Sequence, residues 1–272
     1  MLKKIIKKAR KLAFGADVKP GWHVPNPRNS DVYLISYPKS GNTWMRYLMA
    51  YAIWPRLRDI DLVEMAAYIP SPQLEHDAAM MLADESPCNN LEQRIIKEHC
   101  VRNEAASKNV KKAIYLVRDG RDAIVSYWYF CNQRDQTTVP LSEFIEISSR
   151  PEHSYGAWKD HVEGWLKADL EARLVIRYED LLQEPELWLK AALEFSNIDV
   201  PDSVISQAVE RASFSSMKKL EKTKGFNLDQ LKTVEFVRQG KQGSWQENFG
   251  PGDLEKFNRF HGGCINKLGY SW

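Results

Sequence analysis

Residues 31–52, DVYLISYPKSGNTWMRYLMAYA, place a short apolar run, a turn and an amphipathic helix in immediate succession, and few folds accommodate that order. Val32-Tyr33-Leu34-Ile35 reads as a buried strand, because consecutive large apolar residues leave it no polar face. Trp44, Met45, Leu48, Met49 and Ala52 recur at helical spacing. Between them Pro38, Gly41 and Asn42 punctuate a turn, while Lys39, Ser40 and Thr43 supply a cation and two hydroxyls where the helix begins. A tight loop feeding a helix N-terminus aims backbone N–H groups at one point, where the helix dipole also favours negative charge. The segment therefore predicts an anion site with phosphate as its natural occupant; a solvated lysine in an ordinary turn is the plainer alternative. The generic Gly-x4-Gly-Lys-Ser/Thr loop does not fit, since the lysine precedes the glycine and Ser36 stands where the first glycine belongs. That disfavours an ordinary ATPase or GTPase and leaves a related α/β architecture open.

The strand, turn, helix plan recurs. Arg94-Ile95-Ile96-Lys97-Glu98-His99-Cys100 reads as a short strand, and an extended backbone turns Lys97 and His99 to the same side. In KAIYLVRDGRDAIVSYW, residues 112–128, Arg118 ends a strand and Ser126 lies on the following helix. Arginine matches phosphate with a planar fork, although Asp119 and Asp122 beside Arg118 and Arg121 also suit a structural salt-bridge turn. Trp158, Val162, Trp165 and Leu166 mark a helix face of core type, followed by the strand Leu174–Tyr178. Phe236-Val237-Arg238-Gln239-Gly240-Lys241-Gln242-Gly243-Ser244-Trp245 carries two glycines in a polar stretch, able to bring backbone N–H groups against an anion. Strands alternating with helices predict a parallel sheet with ligands at the carboxyl ends of its strands. Helical pieces are expected over 62–68 and 74–82, from Pro185 to about Ser196, from a capping Asp202 to about Ala212, and from about Pro251 to Leu268.

Tyr37-Pro38-Lys39-Ser40-Gly41-Asn42-Thr43-Trp44 resembles the 5'-phosphosulfate-binding loop of the cytosolic-type sulfotransferases, which use 3'-phosphoadenosine 5'-phosphosulfate (PAPS) and release the bisphosphate PAP. The resemblance runs from Asp31 to the C-terminus and implies one α/β domain over 15–272, a central parallel sheet flanked by helices in a P-loop-kinase-like fold. It assigns His99 as general base, Lys97 as the cation beside the transferring sulfuryl oxygens, and Lys39 with Ser40, Gly41, Asn42 and Thr43 as the cradle of the departing 5'-phosphate. Arg118 and Ser126 match the residues that hold the 3'-phosphate, with Arg238, Gln239 and Gly240 from the third block. Trp44, Tyr178, Ser213 and Phe214 match positions around the adenine. The third block resembles Arg-Lys-Gly-x-x-Gly-Asp-Trp with two departures: Gln239 replaces the lysine, a loss of one charge that Lys241 could offset, and Ser244 replaces the aspartate. The segment that pairs many animal members is not matched, because Gln246, Gly250 and Pro251 stand at its first positions and only Glu255 agrees. Residues 56–90, which in the family help wall the acceptor pocket, and 130–155 are where acceptor choice is expected. The acceptor implied is a hydroxylated small molecule, glycolipid or sugar; no metal and no nucleic acid is expected.

Cys88, Cys100, Cys131 and Cys264 show no metal-type or paired spacing, which fits a reducing, cytoplasmic setting. The other histidines, among them His153, His161 and His261, read as structural or surface residues. Lys3, Lys4, Lys7, Lys8, Arg10 and Lys11 flank an apolar stripe in residues 1–14, leaving the remainder at about −4 of the formal +2. Such a segment suits an anionic membrane surface or a helix packed on its own domain, and is too short and charged for a signal peptide or spanning helix. Two rival functions remain open from the residues alone, a nucleotide-dependent kinase with an atypical loop and a non-catalytic phospholigand-binding protein at a membrane surface.

Overall fold

The computed structural model describes residues 24–270 apart from 25, 73–76, 78–80, 103–108, 154 and 226–233. The basic segment 1–14 and most of the helix expected over 74–82 lie outside the described residues. Strands β1 (Val32–Ser36), β2 (Ile95–Glu98), β3 (Lys112–Val117) and β4 (Ala172–Arg177) form one sheet in the order β2-β1-β3-β4. All three pairings are parallel, with Val32 opposite both Ile95 and Lys112, and Lys112 opposite Ala172.

Alternation along the strands divides the core in two. Val32, Leu34, Ile95, Ile114, Leu116 and Ile176 face one layer, built by helices α1 (Asn42–Ile53), α6 (Pro185–Phe195), α7 (Asp202–Arg211) and α8 (Phe214–Lys224). Tyr33, Ile35, Ile96, Ala113, Tyr115 and Val117 face the other, built by α2 (Gly120–Asp135), α3 (Leu141–Ser148), α4 (Trp158–Leu166) and α9 (Asp253–Lys267). Burial on both faces explains why β1 and β3 read as continuous apolar runs. Trp158 and Trp165 are fully buried, as the core-type stripe on α4 required.

Three local readings are corrected. Tyr178 does not end a strand; it opens α5 (Tyr178–Gln183) directly after β4. Asp202 is the first residue of α7 rather than its cap, which is Pro201, and its carboxylate accepts from Lys190 at 2.7 Å. The piece expected over 62–68 is a single 3₁₀ turn, Glu64–Ala67, preceded by Asp61, whose carboxylate accepts from the N–H groups of Val63 and Glu64. No helix among the described residues is long and apolar enough to cross a membrane.

Candidate active site

Because the strands are parallel, their carboxyl ends share one edge of the sheet, and the expected residues collect there. Lys39 follows β1, His99 follows β2, Arg118 follows β3 and Tyr178 follows β4. The loop after β1 turns through two left-handed residues, Lys39 at φ 66° and Gly41 at φ 95°. A Cβ on Gly41 would lie 2.6 Å from the Tyr178 ring, so only glycine lets that ring close on the loop. No side chain caps α1, which leaves its N-terminus open to an anion. Ser40 is buried, and its hydroxyl has no partner among the described residues. Asn42, expected among the donor-binding residues, turns its amide inward, donating to the Leu34 carbonyl and the Ser36 hydroxyl at 3.1 Å each. Its amide nitrogen thereby staples the loop to β1, while its buried Oδ1 has no partner among the described residues.

Arg118 joins the three blocks. Its guanidinium donates to the Lys39 carbonyl and to the Lys241 carbonyl, each at 3.0 Å, and lies 4.5 Å above the Tyr178 ring. Its Nε is buried without a partner among the described residues. Asp122, fully buried on α2, fixes the third block by accepting from the Gly243 N–H at 2.6 Å, the Ser244 hydroxyl at 2.9 Å and the Trp245 N–H at 2.9 Å. Ser244 thus supplies a donor to Asp122 where a second carboxylate side chain could supply none. The salt-bridge turn is real: Arg121 grips Asp119 at 2.6 Å and stacks 4.1 Å over Trp245, and the Arg118 guanidinium stands 3.9 Å from the Asp122 carboxylate. Lys241, which could offset the charge missing at Gln239, pairs with Glu247 at 2.8 Å at the surface.

The adenine-type residues also converge. Trp44 donates to the Ala212 carbonyl at 2.8 Å and meets Tyr178 edge-on at 6.2 Å. Ser213 caps α8 by accepting the Ser216 N–H, and Phe214 begins that helix. Gly240, at φ 59°, packs on Phe214, where a Cβ would come within 2.6 Å of the ring. Arg238 stacks 4.2 Å over Tyr129. Ser126 is half-buried on α2 and Gln239 is exposed; neither hydrogen-bonds another of these residues among the described ones.

The titratable groups differ in their setting. The Lys39 ammonium lies 3.8 Å from the Phe236 ring centre and 4.8 Å from that of Phe130. Burial, with Arg118 adding to it, lowers its pKa to about 7. Lys97, on β2, is lowered to about 8 by burial and by Arg46. The His99 ring sets Nδ1 at 2.7 Å from the Ser36 carbonyl, which can only accept, so Nδ1 carries the proton and Nε2 presents its lone pair. Burial and then Lys97 hold the His99 pKa well below the ordinary value, so the ring is neutral at neutral pH. The backbone on either side of His99 is tied by residues the spacing did not single out. The Glu98 carboxylate accepts from the N–H groups of His99 at 2.7 Å and Cys100 at 2.9 Å. His161 reaches the His99 carbonyl at 3.2 Å, and Trp165 donates to the Cys100 carbonyl at 2.8 Å. The available signal was a polar histidine inside the Trp158–Trp165 apolar stripe.

The chain matches the sulfotransferase domain family over residues 29–269. A rat protein, sulfotransferase 1 family member D1, is 28% identical over 253 residues, covering 85% of this chain and 81% of its own. The crystal structure of a mouse sulfotransferase, SULT7A1, in complex with PAP superposes with a TM-score of 0.62 at 25% identity, over 89% of this chain and 90% of that one. Retinol dehydratase, solved with retinol and PAP, shares the fold at a TM-score of 0.67 and 19% identity, over 98% of this chain and 88% of its own. With the family match spanning nearly the whole described chain, and the loop, arginine and histidine at one sheet edge, the chain belongs to the sulfotransferase family and is a PAPS-dependent sulfotransferase.

Proposed function

We propose that His99 Nε2 accepts the proton of an acceptor hydroxyl while the hydroxyl oxygen bonds to sulfur and the bond from sulfur to the 5'-phosphate oxygen breaks. The orientation of His99 carries this reading: a neutral imidazole, its Nδ1–H fixed on the Ser36 carbonyl, has one lone pair available and that lone pair is the base. PAPS supplies the sulfuryl group, and the residues present fit it. The buried Ser40 hydroxyl and the Arg118 Nε are orphaned polar groups that an anion would satisfy. Lys39, Gly41, Thr43 and the open N-terminus of α1 hold the 5'-phosphate, and Lys97 balances charge on the sulfuryl oxygens. Arg118, Ser126, Arg238, Gln239 and Gly240 hold the 3'-phosphate, while Trp44, Tyr178, Ser213 and Phe214 surround the base. These groups position and neutralise charge in a loose in-line displacement, the work that kinases share with a metal ion.

The acceptor is a hydroxylated molecule of the small-molecule, glycolipid or sugar kind. Tyr155 lies edge-on to His99 at 5.8 Å with Tyr127 and His153 behind it, a setting that favours an acceptor with an apolar or aromatic body. Residues 15–272 form the catalytic unit in this reading, with residues 1–14 as the segment for peripheral membrane contact. The test is transfer of labelled sulfate from PAPS by the wild type and by His99→Ala, with and without a chelator. Loss of the base lowers turnover by about 10²- to 10⁴-fold, and the chelator leaves it unchanged. Full turnover by the alanine variant overturns the assignment.

A further inference from the structure

His161 is a fully buried histidine beside the active site that the reaction itself does not use. Its two ring nitrogens have distinct partners: Nδ1 lies 2.9 Å from the Tyr115 hydroxyl and Nε2 lies 3.2 Å from the His99 carbonyl. A carbonyl cannot donate, so Nε2 carries the proton and Nδ1 accepts from Tyr115. The order is therefore fixed from β3 outward, with Tyr115 O–H donating to His161 Nδ1 and His161 Nε2–H donating to the His99 carbonyl. Ring packing keeps the relay in register, since His161 stacks on Tyr115 at 5.8 Å and meets Tyr37 edge-on at 5.7 Å. Burial lowers the His161 pKa to about 3, so the relay stays neutral at working pH. One turn along α4, Trp165 holds the next carbonyl, that of Cys100, at 2.8 Å.

His99 and Cys100 thus have both their N–H groups held by Glu98 and both their carbonyls held by α4. A histidine just beyond a strand's last residue would otherwise sit on a backbone free to rotate. We propose that His161, its tautomer set by Tyr115, and Trp165 are positioning residues that hold the His99 backbone so that Nε2 faces the acceptor hydroxyl. This rests on the reading of His99 as the base.

The experiment compares Tyr115→Phe, Trp165→Phe, His161→Gln and His161→Leu with wild type and His99→Ala, measuring kcat, donor KM and PAP binding, with ¹⁵N resonances of the imidazoles. Tyr115→Phe deletes one hydroxyl, leaving His161 Nδ1 without a donor and allowing the proton to move there. Nε2 then turns a lone pair toward the His99 carbonyl. The expected result is a fall in kcat of about tenfold with PAP binding unchanged, as for a lost buried hydrogen bond acting only on the base. A mixed tautomer signature for His161 accompanies it. His161→Gln, which keeps an N–H in reach of the carbonyl, recovers more activity than His161→Leu, and Trp165→Phe moves kcat in the same direction. Should Tyr115→Phe leave kcat and the His161 resonances at wild-type values, the relay has no bearing on the base. A parallel loss of kcat and PAP binding would mark a purely structural role and overturn the proposal as well. His99→Ala keeps the two readings apart: an active alanine variant removes the base assignment itself, whereas an inactive one beside an unaffected Tyr115→Phe removes only the positioning role.

Discussion

His99 and Lys39 stand beyond the ends of neighbouring strands, yet one is held on its ring, its N–H and its carbonyl, while the ammonium of the other rests on the faces of Phe130 and Phe236. In the proposed reaction the difference follows from what each group must do. A base needs one lone pair aimed before the acceptor arrives, and fixed hydrogen bonds provide that orientation in advance. The proposed cation must be free of a competing carboxylate, and ring faces attract an ammonium without pairing it, although burial lowers the Lys39 pKa to about 7 and an arriving anion is what restores its full charge. Arg118 is intermediate: two of its donors hold backbone carbonyls, the Asp122 carboxylate lies 3.9 Å away, and its Nε is buried without a partner among the described residues.

The contrast can be broken from the cation side first. Removing the guanidinium in Arg118→Ala should raise donor KM by about 30- to 100-fold, the worth of a charge-assisted phosphate contact, while acceptor KM stays near wild type; equal rises in both would show that the blocks do not divide the labour this way. Next, pH should separate the groups. Lys39 and Lys97 have pKa values lowered to about 7 and about 8, so the free enzyme carries both charges below those values and loses them as pH rises through them. Donor kcat/KM should therefore decline by about tenfold per pH unit for each charge lost above that range. The bound anion favours the charged forms, so the alkaline limb of kcat at saturating donor should lie at higher pH. The acid limb belongs to His99, whose pKa is depressed, and should fall below pH 6.5; an acid limb above that value would contradict a neutral buried base.

Asp122→Asn sharpens the comparison at the joint between α2 and the third block. An amide cannot accept from Gly243, Ser244 and Trp245 together, and the unfolding free energy should drop by about 2 kcal/mol. Calorimetric unfolding, with donor KM measured alongside, checks it. The smallest effect expected is from Gln239→Lys. Restoring one charge at an exposed position whose neighbour Lys241 already pairs with Glu247 should tighten PAP by about two- to fivefold in low salt, with the gain fading as salt is added. Titration calorimetry at two ionic strengths reads it directly.

The strands were legible because burial on both faces leaves an unmistakable apolar run, as in Val32–Ile35 and Ile114–Val117. The turn between β1 and α1 was legible because glycine and lysine at a strand-to-helix turn have few other uses. What spacing could not carry was the direction of side chains. Asn42 looks like a ligand residue in the loop, and its amide nitrogen also ties that loop to β1, since an amide serves a backbone carbonyl as readily as a phosphate. His161 looks like one more core histidine until its partners are known. Lys39 lies against Phe236, far along the chain, a contact that only the closed fold brings about. The meeting of the three blocks at Arg118 was implied by family resemblance, and neither charge nor periodicity would have placed Lys241 against it.

The passage from β4 to α5 has a bearing on how this enzyme can change. Arg177 is the last residue of the strand and Tyr178 the first of the helix, with Gly41 and Arg118 both against that ring. A junction with no spare residue tolerates no insertion: one extra residue would carry the ring about 3.3 Å along the strand and onto the opposite face of the sheet. If the nucleotide binds at this edge as proposed, diversification of its recognition here is confined to exchanging side chains.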